Sequence, residues 1–97
     1  MFKPEARWDR QLPGEKNKEI INENIAVEAF FNAGKLIPKC FFWNRRPYMV
    51  SKVNCFWQSR EGNALLTFFS VNTNDLDNYE ISFNNRTFNW RIHKILV

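Results

Sequence analysis

A single histidine, two cysteines and three glycines set the first limits on this chain of 97 residues. With His93 as the only histidine, Cys40 and Cys55 lack the partners that a tetrahedral zinc site needs, so no metal site is expected. No Ser or Cys stands beside a base in the sequence, and no glycine-rich phosphate loop occurs. The acids Glu61, Asp75, Asp77 and Glu80 fall at turns or on the face opposite Tyr79 and Ile81, without a spacing that pairs two carboxylates. These absences argue against an enzyme and against a cofactor. No apolar run approaches the roughly 18–20 residues of a membrane helix. Met1-Phe2-Lys3-Pro4-Glu5 leads into charges and not into the apolar segment of a secretion signal. The expectation is a cytoplasmic protein with no membrane partner and with free, buried thiols. Asn85-Arg86-Thr87 matches a glycosylation sequon, which is read as a coincidence because no export is expected.

Against these absences stand ten Phe, four Trp and two Tyr. Aromatics are enriched in strands and supply large buried area, which a domain of this size needs to hold together. With so little glycine the turns must use Asn and Asp, which tolerate left-handed backbone, and Asn recurs at every candidate turn. The clearest pattern is Tyr79-Glu80-Ile81-Ser82-Phe83, then Asn84-Asn85, then Phe88-Asn89-Trp90-Arg91-Ile92. Strict alternation on both sides of a turn signal is what a half-buried antiparallel hairpin requires. A loop of two or of four residues gives the same facing parity.

Upstream of it the chain reads as further strands. Residues 1–24 lack consistent alternation and are broken by Pro4, Pro13 and Gly14, so an irregular N-terminal arm, mobile or docked, is expected, with Trp8 and Leu12 available to dock it. Residues 25–33 alternate at Ile25, Val27, Ala29 and Phe31, although Ile21, Ile25 and Ala29 also recur at helical spacing. A strand is favoured because Asn32-Ala33-Gly34-Lys35 then makes a hairpin loop into Leu36-Ile37. Cys40-Phe41-Phe42-Trp43 continues that second strand, and Asn44-Arg45-Arg46-Pro47 turns the chain. From Tyr48 to Trp57 two parities compete, Tyr48 and Val50 against Val53, Cys55 and Trp57. A β-bulge near Ser51-Lys52 reconciles them and bends the strand. Arg60-Glu61-Gly62-Asn63 is the next turn, residues 64–71 a mostly apolar strand, and residues 87–95 the last strand.

The fold class is therefore all-β: a single antiparallel meander of about six strands over residues 25–97, either a strongly bent sheet or a small barrel. The expected core is Phe41, Trp43, Tyr48, Val50, Trp57, Tyr79, Ile81, Phe88 and Trp90. Glu80 and Arg91 are expected to face away from it, close together across the last hairpin. His93, alternating with Arg91 and Ile95, is expected on a solvated face.

The run Phe41, Trp43, Arg46, Tyr48, Val50, Val53 and Trp57, followed by Tyr79, Ile81, Phe83 and Trp90, resembles a small group of uncharacterised bacterial β domains. That pattern is Phe-x-Trp-x-x-Arg-x-Tyr-x-Val, then a later Trp and a Trp-bearing final strand. It covers about seventy residues. Members commonly carry Gly before the Arg, where this chain has Arg45. Some are encoded near genes for error-prone DNA polymerases, so the resemblance implies a link to DNA metabolism, but no particular activity.

Charge divides unevenly. Residues 1–31 carry five basic and six acidic side chains, and residues 32–97 carry nine and four. A cationic sheet suits ordinary solubility and suits a polyanionic partner. The leading expectation is a small non-enzymatic module for protein interaction or self-association, because apolar residues of both parities and exposed strand edges invite another protein or a second copy. The alternative is an accessory domain for DNA or RNA. In that reading a basic, aromatic-flanked sheet edge supplies phosphate contacts from Arg45, Arg46, Lys52, Arg60, Arg91 and Lys94.

Overall fold

A computed structural model describes residues 18–96. Six antiparallel strands follow one another in chain order and close into a small barrel. They are β1 (Lys18–Asn32), β2 (Lys35–Trp43), β3 (Arg46–Glu61), β4 (Ala64–Thr73), β5 (Asn78–Asn84) and β6 (Trp90–Leu96). β1 pairs with β6 and completes the ring. The all-β meander legible in the sequence is thus the fold, in its barrel form. Among the described residues no helix is long and apolar enough to cross a membrane.

Three two-residue turns join the first four strands. Ala33 and Gly34 have φ of 53° and 81°, and Asn44 and Arg45 have 57° and 67°. Positive φ at both central residues matches the right-handed twist of the flanking strands. Arg45 thus adopts a backbone that glycine adopts without steric cost.

β1 and β3 are the two long strands, and each changes partner midway. β1 pairs with β6 from Lys18 to Ile25 and with β2 from Ala26 to Asn32. β3 pairs with β2 from Arg46 to Met49, then with β4 from Val50 to Glu61. The barrel is tight where both sets overlap, and its core sits there. Phe41, Val71, Ile81 and Ile92 are wholly buried, with Tyr48, Phe69, Tyr79 and Ile95 nearly so. The Phe41 ring stacks on Tyr48 at 5.1 Å and meets the edge of Tyr79 at 5.3 Å. Trp43, Val50 and Trp90 pack against this cluster half-buried. The Trp43 Nε1–H donates to Glu23 Oε1 at 3.0 Å.

Several expectations from alternation are corrected, and bulges explain most of them. The expected irregularity at Ser51 is present, between Val50 and Lys52, but a second follows between Val53 and Cys55. The second shift turns Val53 and Phe56 toward the barrel interior and Trp57 outward. Trp57 is exposed and stacks on Phe68 at 5.4 Å, so it is no core residue. Cys55, expected buried, is exposed, whereas Cys40 is buried; both thiols are free. A register shift on β6 leaves His93 as an extra residue between Ile92 and Lys94. Ile92 and Ile95 therefore both face the core although they are three apart. Glu80 consequently stands opposite Lys94, at 3.7 Å, and Arg91 opposite Ser82, so the expected Glu80–Arg91 pair does not form.

The last loop is neither two nor four residues but five, 85–89. Asn84 Oδ1 accepts from the amides of Arg86 and Thr87, and Phe88 has a φ of 64°. Phe88 is therefore 72% exposed and outside the core. Finally, β1 begins at Lys18, within the expected arm. Asn22, with φ of 57°, lies in an irregularity between Ile20 and Glu23 that hides the alternation there. Trp8 and Leu12, the expected docking residues of the arm, lie outside the described residues.

Candidate functional site

The partner exchange in β3 has a consequence for shape. Among the described residues only four pairs tie β2 to β3, from Cys40–Met49 to Trp43–Arg46. Beyond that seam the β1–β2 hairpin and the β3–β4 hairpin separate. Residues 35–39 of β2 and 50–61 of β3 thus present backbone edges to each other with no ladder between them. The space between the hairpins is a cleft of about 1110 Å³ continuous with the barrel interior. Its floor is Val53, Phe69 and Phe83; Phe31, Leu36 and Phe56 form its walls, with Phe88 at the rim.

The cleft is unusual in what it leaves wet. Phe31, Phe56 and Phe88 are 76%, 63% and 72% exposed. Large aromatics clustered in one concavity cost hydration free energy, and such patches mark interaction sites on soluble domains. Polar groups are few: Lys35, Asn54, Gln58, Thr67 and Asn85, with Gln58 Nε2 donating to Thr67 Oγ1 at 3.2 Å. Among the described residues no acidic side chain lines it. The sequence shows the lining aromatics Phe31, Phe56, Phe69, Phe83 and Phe88 but not their convergence, because they come from four strands and a loop.

A second, smaller hollow of about 440 Å³ lies on the outer face, among Asn24, Phe68, Ser82, Asn84, Arg91 and His93. Ser82 Oγ lies 2.7 Å from His93 Nε2, and Asn22 Oδ1 lies 3.3 Å from His93 Nδ1. An Nδ1–H donating to Asn22 leaves Nε2 to accept the Ser82 hydroxyl, a neutral imidazole held at both ends. Burial lowers the His93 pKa from its usual value, opposed by the charge of Glu80. The order hydroxyl, imidazole, amide is that of a nucleophile relay. Ser82 is only 3% exposed, in the middle strand of three, so it meets the hollow with little of its surface. The arrangement fixes the bulge at His93. Sequence reasoning missed it because Ser82 and His93 meet only through the β5–β6 register. Among the described residues no group of three or more His, Cys, Asp or Glu side chains could hold a metal ion.

The six basic residues read from the sequence are not gathered into one patch. Arg45 and Arg46 share the β2–β3 turn, where Arg46 bonds Asp75 at 2.8 Å and lies over the Tyr48 ring at 4.7 Å. Lys94 faces Glu80, and Arg91 donates to Asn24 Oδ1 and to the Asn22 carbonyl. Lys52 and Arg60 lie along β3, eight positions apart, beside the open edge. Three of the six, Arg46, Arg91 and Lys94, are thus engaged within the protein.

Comparison with family models, with curated proteins and with solved structures returns no match, so geometry alone guides the functional reading.

Proposed function

We propose that this protein is a binding module that captures a segment of another polypeptide in the cleft between its β1–β2 and β3–β4 hairpins. The observation that carries this reading is the pair of facing, unladdered strand edges above an apolar floor. Backbone N–H and C=O groups on such edges are a ready template for a further chain. A nucleic-acid reading draws on Arg45, Arg46, Lys52, Arg60, Arg91 and Lys94. It is the weaker one, because three of those cations are engaged locally and none of the six lines the aromatic concavity.

Selection from a displayed peptide library tests the proposal. Wild-type protein should enrich a coherent set of sequences, and Phe56→Asp, a change at an exposed position, should lose them while unfolding at nearly the same temperature. Absence of enrichment, or enrichment that Phe56→Asp leaves intact, would overturn the reading. Binding of labelled oligonucleotides at about 50 mM salt, steeply weakened by more salt, would put the nucleic-acid reading in its place.

A further inference from the structure

Which polypeptide the cleft takes is written in the two faces it would touch. This step rests on the proposed binding role of the cleft and adds the conformation and charge of the occupant. A strand entering between β2 and β3 would lie beside two edges whose side chains alternate between barrel interior and exterior. Toward the interior those edges offer Leu36, Val53 and Phe56, all cleft-lining and apolar. On the opposite, solvent side the same edges carry Lys39 from β2 and Lys52 from β3, with Lys35 at the first position of β2 where the cleft opens, all three exposed. Lys52 is registered against Asn72, whose neighbours Val71 and Thr73 are buried, which places it on the outer face. Among the described residues none of these three lysines is in an ion pair. The acids beside them are sparse: Glu28 lies on β1, one strand removed, and Glu61 sits at the far tip of β3.

We infer that the cleft accepts an extended, acidic amphipathic segment, which adds as a strand between β2 and β3. Its apolar residues point into the barrel and its carboxylates stand opposite Lys35, Lys39 and Lys52. The edges supply backbone hydrogen bonds and hence affinity, while alternate side-chain positions supply selectivity. Cross-strand pairs of opposite charge favour the complex, and like charges disfavour it. Bulges re-aim a strand or end its pairing, and the β1–β2 and β3–β4 ladders both shift register next to the point where β2 and β3 part.

The test uses the full chain and capped peptides of about seven residues, a typical strand length, alternating Val with Glu or Val with Lys. The Val–Glu peptide should bind at least roughly tenfold tighter than the Val–Lys peptide at low salt, and the ratio should shrink as salt screens the exposed pairs. Lys35→Glu with Lys39→Glu and Lys52→Glu should reverse the preference. N-methylation at alternate peptide amides should abolish binding with the protein itself unchanged. Hydrogen exchange should slow at amides on both edges, residues 35–39 and 50–61, when the Val–Glu peptide is bound.

Equal binding of the two peptides would overturn the charge assignment and leave the binding role standing. Unimpaired binding of the N-methylated peptide would overturn strand addition. Failure of both peptides, with library selection still succeeding, would overturn this inference alone; failure of both experiments would remove the binding role as well. Edges already protected in the free protein would assign the cleft to a second copy if the mass in solution is that of a dimer. If that mass is that of a monomer, the occupant would be residues 1–17 of the same chain. Either result overturns the acidic-partner assignment.

Discussion

Phe41 and Phe88 offer the sharpest test of the packing, because alternation marks both as core and the fold separates them. Phe41 is wholly buried at the only seam joining β2 to β3, registered opposite Tyr48 and stacked on it. Replacing it with Ala removes a fully desolvated ring and two aromatic contacts worth about 0.5–1.5 kcal/mol each beyond area burial. The ring is walled by Tyr48, Tyr79 and the barrel itself, so the site has little freedom to collapse. The expected loss is therefore about 4 kcal/mol, within the 3–5 kcal/mol seen for Phe→Ala in cores. Phe88, on a loop and largely exposed but stacked on Phe83 at 5.9 Å, should cost about 1 kcal/mol, the worth of that one contact. Urea unfolding followed by near-ultraviolet circular dichroism measures both. A lowered midpoint at constant slope reports stability itself, and a loss of 4 kcal/mol corresponds to roughly 15–30 °C in Tm for a domain of this size. If Phe88→Ala costs as much as Phe41→Ala, or if Phe41→Ala costs less than about 1 kcal/mol, the packing described above is wrong.

Three further outcomes are expected. Arg45→Gly should raise stability by about 0.5–1 kcal/mol, because a side chain at φ of 67° is strained and glycine there is not; an unchanged or lower denaturation midpoint would refute the strain. Thr73→Val should stabilise by about 1 kcal/mol, since Thr73 Oγ1 is buried with no hydrogen-bond partner among the described residues and an unpaired hydroxyl pays its desolvation without return; a destabilised variant would mean the hydroxyl has a partner. His93 has a folded pKa below the usual 6.5, so the unfolded chain takes up the proton first. Its contribution to stability should be fully present above about pH 6.5 and decline as pH falls through that value. His93→Gln should flatten this slope in thermal melts between about pH 7.5 and 5, and an unaltered slope would show that carboxylates alone produce it.

What the sequence by itself determined was strand content and order. Alternation at Tyr79–Phe83, the Asn-rich turns and the wealth of aromatics are local signals, and a local signal suffices where a strand keeps one register from end to end. The turn at Ala33-Gly34 and the burial of Tyr79 and Ile81 were legible for that reason, and Phe41 and Tyr48 were legible because they sit together in the four shift-free pairs between the bulges of β2 and β3. The faces of Trp57 and Ile95 were not. Each lies beyond a bulge, and one extra residue moves every later side chain to the opposite face. Nothing near Asn54 or His93 in the chain announces such an insertion, because it is set by the pairing energy of β4 and β5, many residues away. The cleft belongs to the same category. It exists because β3 leaves β2 after four pairs and joins β4 instead, a choice between partners that is made only when the barrel closes.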